Sequence, residues 1–210
     1  MTTYNTIGVL IFFFFYGSYF SKMFLQSKNG IKTNQMGKGS KPKKTLVIEV
    51  ILRTITFLTA GIQLASIIFV KNFQILIQAD LVRYSGFVIS TLGVVIFFIA
   101  MVTMRDSWRA GIDNAQKTKI IKTGIYKYSR NPAFVGFDLF YLGLALTFSN
   151  IFNIIFACVS ILMFHLQILE EEKFLPITFG NEYLDYMNKT NRYLGAKKVN
   201  HDYNYDKTYS

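Results

Sequence analysis

Residues 132–169 read PAFVGFDLFYLGLALTFSNIFNIIFACVSILMFHLQIL, two apolar runs separated only by Ser149-Asn150. A connection that short leaves room for one reversal and nothing else. The stretch therefore reads as an antiparallel helical hairpin, about Pro132–Phe148 and Ile151–Leu169. Crossing the hydrocarbon of a bilayer takes about 20 apolar residues in helix, and both arms approach that length. Upstream lie three further candidates: Ile7–Leu25, about Leu46–Val70 and about Val82–Met104. The expected fold is all-α, a polytopic integral membrane protein with about five transmembrane helices. A short amphipathic cytoplasmic segment follows the C-terminal hairpin.

Composition agrees. Of 210 residues 51% are hydrophobic, with 21 Phe and 13 Tyr, and only 17% are charged, which excludes an ordinary soluble domain. The leader MTTYNT has no positive charge and no small-residue cleavage site after it, so the first span reads as an anchor and not a signal peptide. The lone Cys158 excludes an internal disulfide or a multi-cysteine metal site and reads as core or lipid-facing packing; no metal site is expected. The net charge of +11 reports loops facing anionic lipid, and no nucleic-acid partner is expected. Residues 27–44 carry six Lys and no acid, and residues 105–130 carry seven basic residues against two acids. The opposite loop, 71–83, has Lys71 and Arg83 against Asp80. The positive-inside rule then places both basic loops and the C-terminal segment in the cytoplasm, and the N-terminus and hairpin turn outside. The GKGSK of the first loop lacks the glycine spacing and flanking strand of a phosphate-binding loop, so that loop reads as solvated basic linker. Glu49 and Arg53, four apart, share a helix face and are expected to neutralise one another.

The polar residues gather at the hairpin's open end. In TGIYKYSRNPAFVGF, residues 123–137, Asn131 is a natural N-cap and Pro132 suits the first helical position. Gly136 and Gly143 form a face for close helix packing. That helix start needs no ligand. Three features go beyond it: Asp138 inside the fourth helix, His165 and Gln167 near the end of the fifth, and the run Glu170-Glu171-Glu172. An intramembrane carboxylate is costly unless it meets a cavity or a partner. The antiparallel hairpin brings Arg130 and Asn131 to the same rim as the three acids. After them, Tyr183 and Tyr186 mark an amphipathic helix that lies on the membrane or caps the bundle, and Arg192-Tyr193 closes it. The chain thus divides into helices at 1–104, a polar-rimmed unit at 105–195, and a flexible polar tail at 196–210.

These residues carry a resemblance. GIYKYSRNPAFVG at 124–136, EEEKFLPITFGNEYLDY at 170–186 and Arg192 resemble the isoprenylcysteine carboxyl methyltransferase family, whose superfamily includes phospholipid N-methyltransferases. SWRAGI and TKIIKTG upstream look like its bacterial branch. The resemblance implies a membrane methyltransferase region at 105–195 that uses S-adenosyl-L-methionine. It implies cofactor contacts at Lys119, Ile120, Ile121, Tyr126, Asn131, Pro132, Ala133, Phe134 and Glu171. This chain has Asn131 where the family has His, Phe134 where it has a hydroxylated aromatic, and Gln167 where the eukaryotic carboxyl methyltransferases carry a substrate-linked Arg.

Methyl transfer from a sulfonium is an in-line displacement governed by positioning and desolvation. A carboxylate acceptor needs only a cation to orient it, Arg130 or Arg192. An amine acceptor needs a base, Glu170 or Glu172. The catalytic candidates are therefore Arg130, Glu170 and Arg192, acting on a lipophilic or lipid-modified acceptor that enters sideways from the membrane lipids. Carboxylate methylation of an isoprenoid substrate is the favoured reaction. Two other readings stand beside it: an NADPH-dependent reductase of the steroid-reductase type with Lys119, Lys122 and Lys127 as its basic patch, and a non-enzymatic scaffold.

Overall fold

The computed structural model describes residues 3–111 and 119–195. The expected flexible tail, 196–210, and part of the upstream motif lie outside the described residues. The described residues form six α-helices: α1 (Thr3–Lys28), α2 (Lys43–Ile68), α3 (Asp80–Met104), α4 (Pro132–Thr147), α5 (Ile151–Phe179) and α6 (Asn181–Lys189). Four of them, α1, α2, α3 and α5, are long and apolar enough to cross a membrane. The molecule is a polytopic all-α membrane protein.

Both arms of the hairpin differ in length from the expectation. Helix α4 has 16 residues, roughly 24 Å at 1.5 Å per residue, short of a hydrocarbon core about 30 Å thick. Helix α5 continues ten residues past Leu169 and passes through Pro176 before Gly180 ends it with φ 57°. Leu and Glu are strong helix formers, and Pro176 sits in the last turn, so the helix absorbs the acid run.

The helices alternate end to end. At one end Tyr4 OH donates to Asp80 Oδ1 at 2.7 Å, and the Arg83 guanidinium lies 3.7 Å from the Tyr4 ring centroid. Arg83 Nε also donates to the Thr147 carbonyl at 3.2 Å, and the hairpin tip is pinned by Ile77 N donating to Ser149 Oγ at 2.9 Å. The N-terminus, the loop after α2 and the hairpin tip thus share one end. Both basic loops and α6 share the other.

Helix α4 packs most closely on α3. A Cβ built at Gly143 would stand 2.3 Å from Ser90 N and 2.5 Å from the Gly86 carbonyl; one at Gly136 would stand 2.7 Å from Phe97 N and 2.8 Å from the Gly93 carbonyl. Two glycine pairs seven residues apart on facing helices let the backbones meet. The aromatic core lies beside this seam, with Phe15 stacked on Phe140 at 3.9 Å and Phe97, Phe137, Tyr141 and Phe164 around it. On the outside, apolar side chains such as Phe14, Phe57 and Leu92 are exposed, as a lipid-facing surface requires. Cys158 is exposed on α5.

The first basic loop is not a solvated linker. Asn34 forms a parallel β-bridge with Ala110, and Thr33 is buried. Lys41 Nζ pairs with Glu49 at 2.7 Å, their side chains 3% and 0% exposed, and Gly37 N donates to Glu49 at 2.8 Å. Glu49 is thus neutralised by this loop, while Arg53 one turn on is exposed. A fully buried carboxylate requires a cation at its own depth, and the loop folds back to supply it.

Candidate functional site

The end of the bundle beneath α6 holds a cavity of about 160 Å³. One wall is the strip Lys119, Ile120 and Ile121, and a second is Tyr126 in the 3₁₀ turn Gly124–Lys127, with Arg130 beyond it. The extension of α5 supplies Glu171, Phe174, Leu175 and Thr178; α6 supplies Tyr183 and Tyr186; and the exit of α3 supplies Arg109 and Gly111. Tyr186 OH donates to the Tyr126 carbonyl at 2.6 Å, so the α6 roof is bonded to the turn it covers.

Successive helical residues point about 100° apart, and the three acids take three directions. Glu170 faces α2, where Thr45 Oγ1 donates to it at 2.7 Å and Lys173 Nζ pairs with it at 2.7 Å. Glu171 faces the cavity and accepts from Gln167 Nε2 at 2.9 Å. Glu172 sits between two arginines. Arg130 binds its Oε1 through Nε at 3.2 Å and Nη2 at 2.5 Å, and Arg192 binds its Oε2 through Nε at 2.9 Å and Nη2 at 2.7 Å. Arg130 Nη1 donates further to the carbonyls of Met187 and Thr190, both at 2.9 Å. This network latches the segment after α6 onto α5.

Among the residues expected to bind a cofactor, the cavity gathers Lys119, Ile120, Ile121, Tyr126 and Glu171. It does not gather Asn131, Pro132, Ala133 or Phe134, which form the first turn of α4. Asn131 occupies the N-cap position, yet its side chain makes no capping bond; Nδ2 donates to the Arg192 carbonyl at 3.1 Å instead. Phe134 packs on Phe164. Of the catalytic candidates, Arg130 lines the cavity with its donors engaged, Arg192 is in the latch, and Glu170 lies on the α2 side. The three lysines of the reductase reading are not gathered either: Lys119 lines the cavity, Lys122 pairs with Glu182 at 2.8 Å, and Lys127 is exposed.

Burial pushes the Tyr126 and Tyr186 phenols above their ordinary range and lifts Tyr183 to about 12. They line the cavity as neutral rings. The sequence reading ended the helix at Leu169 and so missed Phe174, Leu175 and Thr178. With Glu171 these recur at helical spacing, a periodic signal that was present in the sequence.

Residues 81–182, which take in the hairpin, the cavity's turn and its α5 wall, match the family described as phospholipid methyltransferase. The protein-S-isoprenylcysteine O-methyltransferase of Saccharomyces cerevisiae is 31% identical over 122 residues, 57% of this chain and 51% of that protein. Over about half of its length the chain is thus similar to membrane methyltransferases of these two descriptions. A probable protein-S-isoprenylcysteine O-methyltransferase of Oryza sativa subsp. indica is another relative, 32% identical over 111 residues, 51% of this chain and 58% of that protein. The chain spans between half and three-fifths of the length of these isoprenylcysteine methyltransferases.

Proposed function

We propose that the chain is a membrane-embedded methyltransferase that uses S-adenosyl-L-methionine to methylate a lipophilic acceptor, with a prenyl-type carboxylate favoured over a lipid amine. The observation that carries this reading is the convergence of Glu171, Tyr126 and Lys119–Ile121 on one cavity under α6. The donor set suits the polar end of that cofactor. Glu171 offers a carboxylate to a cationic group, and Arg109 and Lys119 offer cations to a carboxylate. The Gln167 Oε1 atom is buried without a partner among the described residues, one bond network away from Glu171. When bound, S-adenosyl-L-methionine supplies an electrophilic methyl group on a cationic sulfur.

The chain's own residues then position and desolvate. The hydrogen bond from Gln167 Nε2 holds the Glu171 carboxyl toward the cavity, so the group that would meet a cationic ligand is positioned before it binds. The rings of Tyr126 and Tyr183 present π-faces that favour a cation. Phe174 and Leu175 exclude water from the reacting centre. An acceptor carboxylate is already ionised and needs only orientation. Both latch guanidiniums are paired with Glu172, and of the two Arg192, 37% exposed against 6% for Arg130, is the one with surface left to meet it. The excess of Lys and Arg in the loops at this end supports a cytoplasmic cavity and an N-terminus outside.

The test is to incubate membranes containing the protein with methyl-labelled S-adenosyl-L-methionine and an S-prenylated cysteine, then treat the product with base. A volatile, base-labile label identifies a methyl ester. A base-stable label transfers the assignment to an amine acceptor. Absence of both label and cofactor binding refutes the methyltransferase reading.

A further inference from the structure

A second recess lies between α4 and α5, separate from the cavity in every lining residue. It is an open groove of about 460 Å³ lined by Asp138, Cys158, Ile161, Leu162, His165 and Tyr193. Cys158 and Leu162 are exposed, so the groove opens on the outer, lipid-facing surface of the bundle. Asp138 Oδ1 is shielded from solvent and has no hydrogen-bond partner among the described residues. A carboxylate in such surroundings is costly unless a cation or donors meet it.

Among the described residues the groove's lining contains no Lys or Arg. The nearest guanidinium along the chain, on Arg192 beside Tyr193, is bound to Glu172 at 2.7 Å, and Arg130 is bound to the same carboxylate. His165 Nδ1 is in a hydrogen bond with Tyr193 OH at 2.5 Å. A metal ion does not fill the role, since among the described residues no three His, Cys, Asp or Glu side chains gather to hold one. A carboxylate or phosphate head would meet Asp138 with like charge. The lining chemistry that remains is one unpaired carboxylate, a His–Tyr pair and an aliphatic floor of Ile161 and Leu162.

We propose that this groove binds a bilayer amphiphile with a protonated amine head, Asp138 serving as its counter-ion. The ammonium lies at Asp138, within reach of the Tyr193–His165 side of the groove. The hydrocarbon chain runs outward over Ile161 and Leu162 into the bilayer. Charge complementarity selects the head, and the outward opening selects an occupant delivered by the membrane. The assignment is independent of methyl transfer and of the cavity.

The experiment uses the full chain in nanodiscs of neutral lipid, with no methyl donor, and a photoactivatable long-chain primary amine as probe. Labelling is expected on α4 and α5 peptides. Dodecylammonium should displace the probe at least about tenfold better than dodecanoate, the scale of one ion pair. Asp138→Asn should weaken labelling by a similar factor. Should that variant fail to fold, Leu162→Trp at an exposed position fills the groove and should abolish labelling. Equal competition by amine and carboxylate overturns the assignment, as does undiminished labelling in either folded variant. Cofactor binding, measured separately, reports on the other site alone.

Discussion

Replacing Gly143 with alanine tests the close α3–α4 seam. The added methyl would stand 2.3 Å from Ser90 N and 2.5 Å from the Gly86 carbonyl, both backbone atoms that cannot rotate aside. Ordinary van der Waals contact begins near 3.4 Å, so α3 and α4 must part by about 1 Å at this point, and overpacking of that kind costs about 1–3 kcal/mol. For a chain of this size that is a fall of roughly 2–12 °C in apparent melting temperature. Gly61→Ala is the internal control. Nothing lies within 4 Å of its Cβ position in mid-α2, so alanine there should stabilise by about 0.5–1 kcal/mol. The assay is fluorescence-detected melting of both variants in one detergent at one scan rate. Equal melting of the two variants, or an unchanged Gly143→Ala, would refute the close approach of α3 and α4.

Three further predictions address the polar end. Glu171→Ala should abolish cofactor binding measured by calorimetry, whereas Glu170→Ala should leave it intact and loosen only the α2–α5 contact through Thr45. Glu172→Gln should leave the Arg130 guanidinium, 6% exposed, without its anion, at a cost of about 3–5 kcal/mol; protease nicking at residues 187–195 should rise before the core melts. Tyr183, pushed up to about 12 by burial, should ionise later than the exposed tyrosines in a phenolate absorbance titration. Because its folded-state value lies above the unfolded one near 10, the stability it contributes is fully present below pH ~10 and is lost as pH rises through about 12. Tyr183→Phe should flatten that alkaline loss.

Much of the architecture was legible because apolar length is additive along a chain. The Ser149-Asn150 reversal, the three upstream spans and the glycine face of α4 all follow from residues close in sequence, and so does the capping role of Tyr183 and Tyr186. Helix α4 was overestimated by one residue and α5 underestimated by ten, since hydropathy falls at Glu170 whereas helical hydrogen bonding does not. The acid run was visible as a cluster, but a cluster says nothing about direction.

Direction came only from tertiary structure. A 100° step per residue sends Glu170 to Thr45, Glu171 to the cavity and Glu172 to two arginines, and only the partners' positions tell these apart. The first basic loop shows the same limit: its lysines predict solvent until the buried Glu49 of α2 draws Lys41 inward. Asn131 has the composition of a cap and the contacts of a tether, because Arg192, distant in sequence, offers its carbonyl nearby. Sequence alone determined that this chain is a helical membrane protein with a polar rim. Which charges are spent on holding that rim together, and which face a cavity, was decided by packing, since a charge's role depends on the neighbour that desolvates or pairs it.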